Sequence, residues 1–252
     1  MDGQIKSKER VAEHGEVFTS EREVKAMCDL VKSETERIDS RFLEPACGDG
    51  NFLIEILSRK MAIVMKKYRR SPFDYERMAL LALASLYGVD ILEDNVLQCR
   101  KRLYDYWNEQ YTAVLEARKE CNDDTRRSAQ FILSRNIVCG NALTMRCVDA
   151  KQQDTERSIV FSEWSFPRND AFMLRKDYTF DLLLSGKAHP GKEESPSIFK
   201  EPEPLPIVPT EQQLTFDFFA EEPAPEPGVP TEDGSIFIKQ TIAHYRRIAE
   251  HA

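Results

Sequence analysis

The class that this 252-residue chain predicts is α/β with a parallel sheet, and three short apolar runs point to it. The run that opens at Phe42 and breaks at a glycine turn, Leu86 to Asp90, and Asn136 to Cys139 each read as a buried strand. The first two are followed by segments with helical spacing. Alternation of strand and helix is the pattern of a parallel sheet with helical crossovers.

The first run, Phe42-Leu43-Glu44-Pro45-Ala46-Cys47-Gly48-Asp49-Gly50-Asn51-Phe52-Leu53, breaks from a strand into a glycine turn that opens a helix. Glycines 48 and 50 permit backbone conformations closed to other residues and let a ligand approach the main chain. Carboxylates stand on both sides of the turn, at Glu44 and Asp49. They would repel a nucleotide phosphate, so the turn fits a cationic ligand better than a phosphate-cradling loop.

Upstream, His14-Gly15-Glu16-Val17-Phe18-Thr19 precedes a helical pattern with Val24, Met27, Cys28 and Val31 on one stripe. Thr19 or Ser20 is its expected cap, with Glu23 as capping-box partner. Downstream, Tyr75 to Ser85 reads as an inserted helix. Leu86-Tyr87-Gly88-Val89-Asp90-Ile91 then ends in an acid, as the second strand of a nucleoside-binding sheet does. A long helix is expected from Glu93 to about Lys119. Asp90 either accepts ribose hydroxyls or caps that helix, and the two roles are compatible. The third strand runs into Gly140-Asn141-Ala142-Leu143, where Asn141 is a ligand acceptor or a turn residue.

Glu44 to Leu53 resembles motif I of the S-adenosylmethionine (SAM) dependent DNA adenine-N6 methyltransferases. The run ending at Thr19 resembles their motif X, Leu86 to Ile91 stands where motif II belongs, and Gly140 to Leu143 resembles motif III. This is the gamma-type order X-I-II-III, as in restriction-modification systems. The resemblance implies a Rossmann-like SAM-binding domain. It implies that Phe18, Thr19, Glu44, Ala46, Gly48, Asp49 and Gly50 line the methionine end of SAM. Asp90 would hold the ribose, Ile91 would pack on the adenine, and Asn141 with Ala142 would meet its edge. Many relatives have Asp where Asn141 stands.

The family's fourth motif, Asn/Asp-Pro-Pro-Tyr/Phe, is absent from the sequence. Its side-chain acceptor and ring hold a base that has left the stack. The corresponding position is Tyr178-Thr179-Phe180-Asp181-Leu182-Leu183-Leu184, followed by Ser185-Gly186-Lys187-Ala188-His189-Pro190. Gly186 has no acceptor and Lys187 is a donor. Asp181 to Leu184 therefore reads as a short helix or strand with no catalytic sequel, and no catalytic residue is assigned.

Composition divides the chain near residue 186. Ten of the thirteen prolines follow it, and residues 186–252 hold 6 Lys and Arg against 12 Asp and Glu, most of the net charge of −8. The expected organisation is a SAM-binding domain over 1–185, a disordered Pro/Glu-rich linker over 186–235 and a short amphipathic helix over 236–252. In that helix Ile238, Ile242, Tyr245 and Ile248 form one stripe, free to dock on a partner or to fold back on the domain. Within the linker, Gln213-Leu214-Thr215-Phe216-Asp217-Phe218 loosely resembles peptides that dock on the bacterial sliding clamp.

The acidic balance argues against a protein that grips DNA over its whole surface. Arg59-Lys60 and Lys66-Lys67-Tyr68-Arg69-Arg70 are the exception, read either as phosphate contacts or as the solvated end of a helix. Scattered histidines argue against a metal. Six cysteines without Cys-x-x-Cys spacing, and no signal peptide or apolar run of bilayer length, indicate reduced thiols in a cytoplasmic protein without membrane attachment. Ser158 to Trp164 reads as a fourth strand that could extend the sheet, with Trp164 and Phe166 as packing residues or, as the lesser alternative, base-stacking ones.

The expected function is thus a SAM-binding component of a DNA adenine-N6 methyltransferase, completed by a second polypeptide that supplies catalysis and target recognition. The alternative is a non-catalytic SAM-binding regulatory or interaction protein. Methyl transfer to RNA or a small molecule is a third option.

Overall fold

The computed structural model describes residues 19–168, 170–185 and 237–251. Phe18, the rest of the motif X run, Gly186 to His189, the 186–235 linker and Gln213 to Phe218 lie outside them.

Helix α1 (Glu21–Leu30) begins at Ser20, whose hydroxyl accepts from Glu23 N while the Glu23 carboxylate accepts from Ser20 N. This is the expected capping box. Its buried face is narrower than the predicted stripe: Val24 and Cys28 are buried, whereas Met27 and Val31 are exposed. A single turn, α2 (Lys32–Thr35), leads to strand β1 (Phe42–Glu44). Then follow α3 (Asn51–Tyr68), α4 (Pro72–Ala84), β2 (Leu86–Asp90), α5 (Glu93–Leu115), a 3-10 turn (Glu116–Arg118), α6 (Asp123–Asn136) and β3 (Ile137–Cys139). A hairpin of β4 (Arg146–Val148) and β5 (Asp154–Ser158) precedes β6 (Val160–Ser165), β7 (Phe172–Thr179), α7 (Phe180–Leu184), β8 (Lys239–His244) and a final 3-10 turn (Ile248–His251).

Strands β1, β2 and β3 form the predicted parallel sheet with β2 in the centre, Glu44 opposite Gly88 and Asp90 opposite Cys139. Period-two alternation gives β2 two faces. Leu86 joins the larger core of the helices, with Leu53, Leu57, Leu80, Leu103 and Trp107, while Tyr87 and Val89 join a second core with Ile159, Phe161 and Phe180. Apolar cover on both faces is what a parallel sheet requires.

Strands β6, β7 and β8 form a separate antiparallel sheet. Trp164 is buried, its indole donating to Asn136 Oδ1 at 3.3 Å, and Phe166 meets Tyr245 edge-on at 6.5 Å. The segment expected as an amphipathic helix over 236–252 is instead a strand and a 3-10 turn. Ala243 and Tyr245 face inward and Ile242 is exposed, a period of two where the helical reading needed 3.6. The cause is nonlocal: β8 pairs with β7 from Phe172↔His244 to Asp177↔Lys239, and Tyr245 and Arg246 close on a buried carboxylate in α4.

That carboxylate is Glu76, fully buried. It accepts from Tyr111 OH (2.5 Å), Thr125 Oγ1 (3.1 Å), Tyr245 OH (2.6 Å) and the Arg246 guanidinium (2.6 and 3.0 Å). A buried charge is tolerable only when paired and hydrogen-bonded in this way. Helices α4, α5 and α6 are thereby tied to residues near position 245.

Candidate cofactor site

At the carboxyl end of β1 the chain turns across the top of β2, with Cys47 N donating to Val89 O at 2.9 Å. Gly48 (φ 52°) and Gly50 (φ 93°) take the left-handed conformations that the sequence pattern anticipated. Gly50 caps α3 without a side chain, and a Cβ there would lie 2.7 Å from Cys99 Sγ. Cys47 is held as a thiol by its hydrogen bond with Cys99 and by burial. All six cysteines are free.

Asp90 links this loop to the next helix. Its Oδ2 accepts from Gly48 N (2.9 Å), and its Oδ1 accepts from Leu92 N (2.9 Å) and Asn95 Nδ2 (3.2 Å) at the start of α5. Leu92 is the N-cap of α5 and no side chain caps the helix amides, so Asp90 braces the approach to the helix and does not cap it as expected. A carboxylate has about four acceptor positions, which leaves one after these three.

Asp49 meets Arg102 of α5, whose Nη1 lies 2.7 Å from its Oδ2, 2.8 Å from its backbone carbonyl and 2.9 Å from Asn51 Oδ1. The other Asp49 oxygen is buried with no hydrogen-bond partner among the described residues. Burial raises the Glu44 carboxyl above its ordinary range. Asn51 Nδ2 reaches Thr19 O at 3.5 Å, so the end of the motif X run and the start of α3 are adjacent.

Thr19, Glu44, Gly48 to Gly50 and Asp90 thus gather around the carboxyl ends of β1 and β2, where ligands of open α/β sheets bind. Beside Asp90, a cavity of about 450 Å³ opens between the start of α5 and the β4–β5 hairpin. Its lining includes Ile91, Leu92, Glu93, Asp94, Cys139 and Asp149. Ile91 is the expected adenine contact; Glu93, Asp94 and Asp149 had no motif to announce them.

Of the expected cofactor residues only Ile91 lines that cavity; Glu44, Gly48 to Gly50 and Asp90 stand beside it, and Asn141 and Ala142 do not line it either. The Asn141 oxygen accepts from Leu143 N (3.0 Å) and Thr144 N (3.4 Å), and its amide donates to Asp154 Oδ1 (3.1 Å). The turn role is the one this geometry displays. Ala142 packs against the core of Tyr87 and Val89. Sequence reasoning also passed over Arg102, Asn95 and Asn51. Arg102 is separated from Asp49 by a whole strand and two helices, and only the fold brings them together.

Where the fourth motif would follow a strand, Phe180–Leu184 is a helix. No helix among the described residues is long and apolar enough to cross a membrane. No family model and no solved structure matches the chain. DNA methyltransferase A of Bacillus subtilis (strain 168) is 27% identical over 157 residues, 60% of this chain. Those residues span 17% of that relative's length. This distant, partial similarity supports a relationship to DNA methyltransferases.

Proposed function

We propose that the chain is a SAM-binding component of a DNA adenine-N6 methyltransferase of the restriction-modification type. The observation that carries the reading is the set of carboxylates around the glycine loop: Glu44 and Asp49 flank it and Asp90 holds Gly48. SAM combines an ammonium and a sulfonium with a ribose, and bound SAM supplies an electrophilic methyl group. Glu44 and the unpartnered Asp49 oxygen suit its cationic end. The remaining acceptor position of Asp90 suits a ribose hydroxyl, and Ile91 at the cavity wall suits the adenine face. Phe18, Thr19 and Ala46 complete the methionine end in this reading, and Asn141 with Ala142 reaches the adenine only if its turn reopens.

Catalysis and target recognition would come from a second polypeptide acting on DNA in the cytoplasm. Two features support this: the sequence has no Asn-Pro-Pro-Tyr segment, and β1 is an edge of its sheet among the described residues. An apolar groove of about 210 Å³ lies along that edge, lined by Leu43, Tyr87, Phe161, Phe180 and Leu183 among others. The missing tetrapeptide equally favours a non-catalytic SAM-binding regulatory protein.

Calorimetry with SAM, followed by labelled-methyl transfer to plasmid DNA with and without the product of the adjacent reading frame, tests the proposal. The expected result is SAM binding by the chain alone, lost in Asp90→Ala, with transfer only when the second product is added. Absence of SAM binding, or full affinity in Asp90→Ala, overturns the assignment. Binding with no transfer under any condition selects the regulatory reading.

A further inference from the structure

The far end of α3 carries a feature that the cofactor reading does not use. This helix runs 18 residues from the glycine loop, about 27 Å at 1.5 Å per residue. At its end Lys66, Lys67, Arg69 and Arg70 are all exposed. Arg118, from the 3-10 turn after α5, donates to the Arg70 carbonyl at 3.2 Å and brings itself and exposed Lys119 alongside. Six cations from two separate parts of the chain therefore share one end of the domain, against the exposed carboxylates Glu116 and Glu120.

Helix-end electrostatics accounts for only part of this. A helix carboxyl terminus presents about half a negative charge, which Lys66 and Lys67 already exceed. Arg69, Arg70, Arg118 and Lys119 are left over. Several cations elsewhere are paired, Arg59 with Asp29 and Glu55, Lys101 with Asp105, and Arg126 with Asp123. Among the described residues none of the six cations at this end makes an ion pair, on a chain whose net charge is −8.

We propose that this end of the domain binds the phosphate backbone of duplex nucleic acid, independently of sequence, through Lys66, Lys67, Arg69 and Arg70 with Arg118. Guanidinium forks match phosphate oxygens, and lysines add charge without a fixed direction. The choice of duplex DNA over another polyanion rests on the proposed methyltransferase reading; the phosphate contact itself does not. The patch lies at the opposite end of α3 from the carboxylate-lined loop, so it would hold DNA outside the segment presented for chemistry.

The test is fluorescence anisotropy of a labelled mixed-sequence duplex against the full chain without SAM, across a salt series. Replacing Lys66, Lys67, Arg69 and Arg70 together by Ala is expected to weaken binding roughly tenfold or more and to lower the slope of log K against log salt by about 3 to 4. Arg118→Glu is expected to act in the same direction, and the pair Lys151→Ala and Arg157→Ala to change neither quantity. SAM titrations should be unaltered in every variant, so a failure of the patch is distinguishable from a failure of the cofactor reading. Unchanged affinity and slope in the fourfold variant, equal losses in the Lys151 and Arg157 control, or binding to phosphatidylserine vesicles but not to the duplex would each overturn the proposal.

Discussion

Replacing Gly50 by alanine tests the loop where its conformation and its packing meet. At φ 93° an alanine bears a left-handed backbone penalty of about 1–2 kcal/mol. Its Cβ would also stand 2.7 Å from Cys99 Sγ, with Cys99 Cβ at 3.5 Å and Cα at 3.6 Å. Since Cys99 is fully buried on α5, one helix or the other must move, at an overpacking cost of about 1–3 kcal/mol. Together the terms predict that Gly50→Ala lowers unfolding free energy by about 2–5 kcal/mol, read from urea denaturation at constant slope. Combining it with Cys99→Ala separates the terms. The double variant should recover the packing share, a coupling energy of about 1–3 kcal/mol, but not the backbone share. Near-wild-type stability of Gly50→Ala would show that the left-handed turn is not required, and zero coupling would show that the thiol is not the obstacle.

The remaining predictions concern three charged groups. Lys60 is buried beneath the start of β1, donating to Ile38 O (3.2 Å), Ser40 O and Ser85 Oγ (2.5 Å), and burial lowers its ammonium to about 7. The unfolded chain then holds one more proton between pH 7 and the ordinary lysine range, so stability should rise with pH across that window, by up to about 1.4 kcal/mol per unit. Lys60→Met should flatten that rise in urea midpoints; an identical profile in the variant refutes the assignment. Glu76→Gln should cost about 2–4 kcal/mol, because an amide cannot accept from Tyr111, Thr125, Tyr245 and Arg246 together; a loss within error of zero in thermal melts would count against the network. Arg102→Ala frees Asp49 and Asn51, and SAM affinity should fall roughly tenfold, about 1.4 kcal/mol. Tighter binding would mean that local charge, not loop order, governs the site.

What could be read from the residues was local in origin. The Ser20 and Glu23 cap needs only three intervening bonds of helix geometry, and the glycine turn announces itself because few other residues tolerate its backbone. The three parallel strands followed from apolar runs bounded by turns. Residues 236 to 251 misled because Ile238, Ile242, Tyr245 and Ile248 fit a helical stripe while Thr241, Ala243 and Tyr245 fit a strand, and a run this short satisfies both periods. The free edge of β7 and the Glu76 carboxylate decide between them, and neither is nearby in sequence. At the site, Asp90 and the glycines were visible by their position at strand ends, whereas Arg102 and Asn95 had no distinguishing pattern. Asn141 had two available roles, and a neighbouring hairpin carboxylate, Asp154, joins its turn.

The link from Glu76 to Tyr245 joins residues 169 positions apart. During synthesis α4 emerges long before its partners, so until residue 246 clears the ribosome Glu76 lacks two of its donors and favours a hydrated, loosened helix cluster. Chains interrupted between 185 and 237 would keep the entire glycine loop yet never complete this buried junction. They should be cleaved by protease more readily than the full chain, because Glu76 would stay buried without two of its donors.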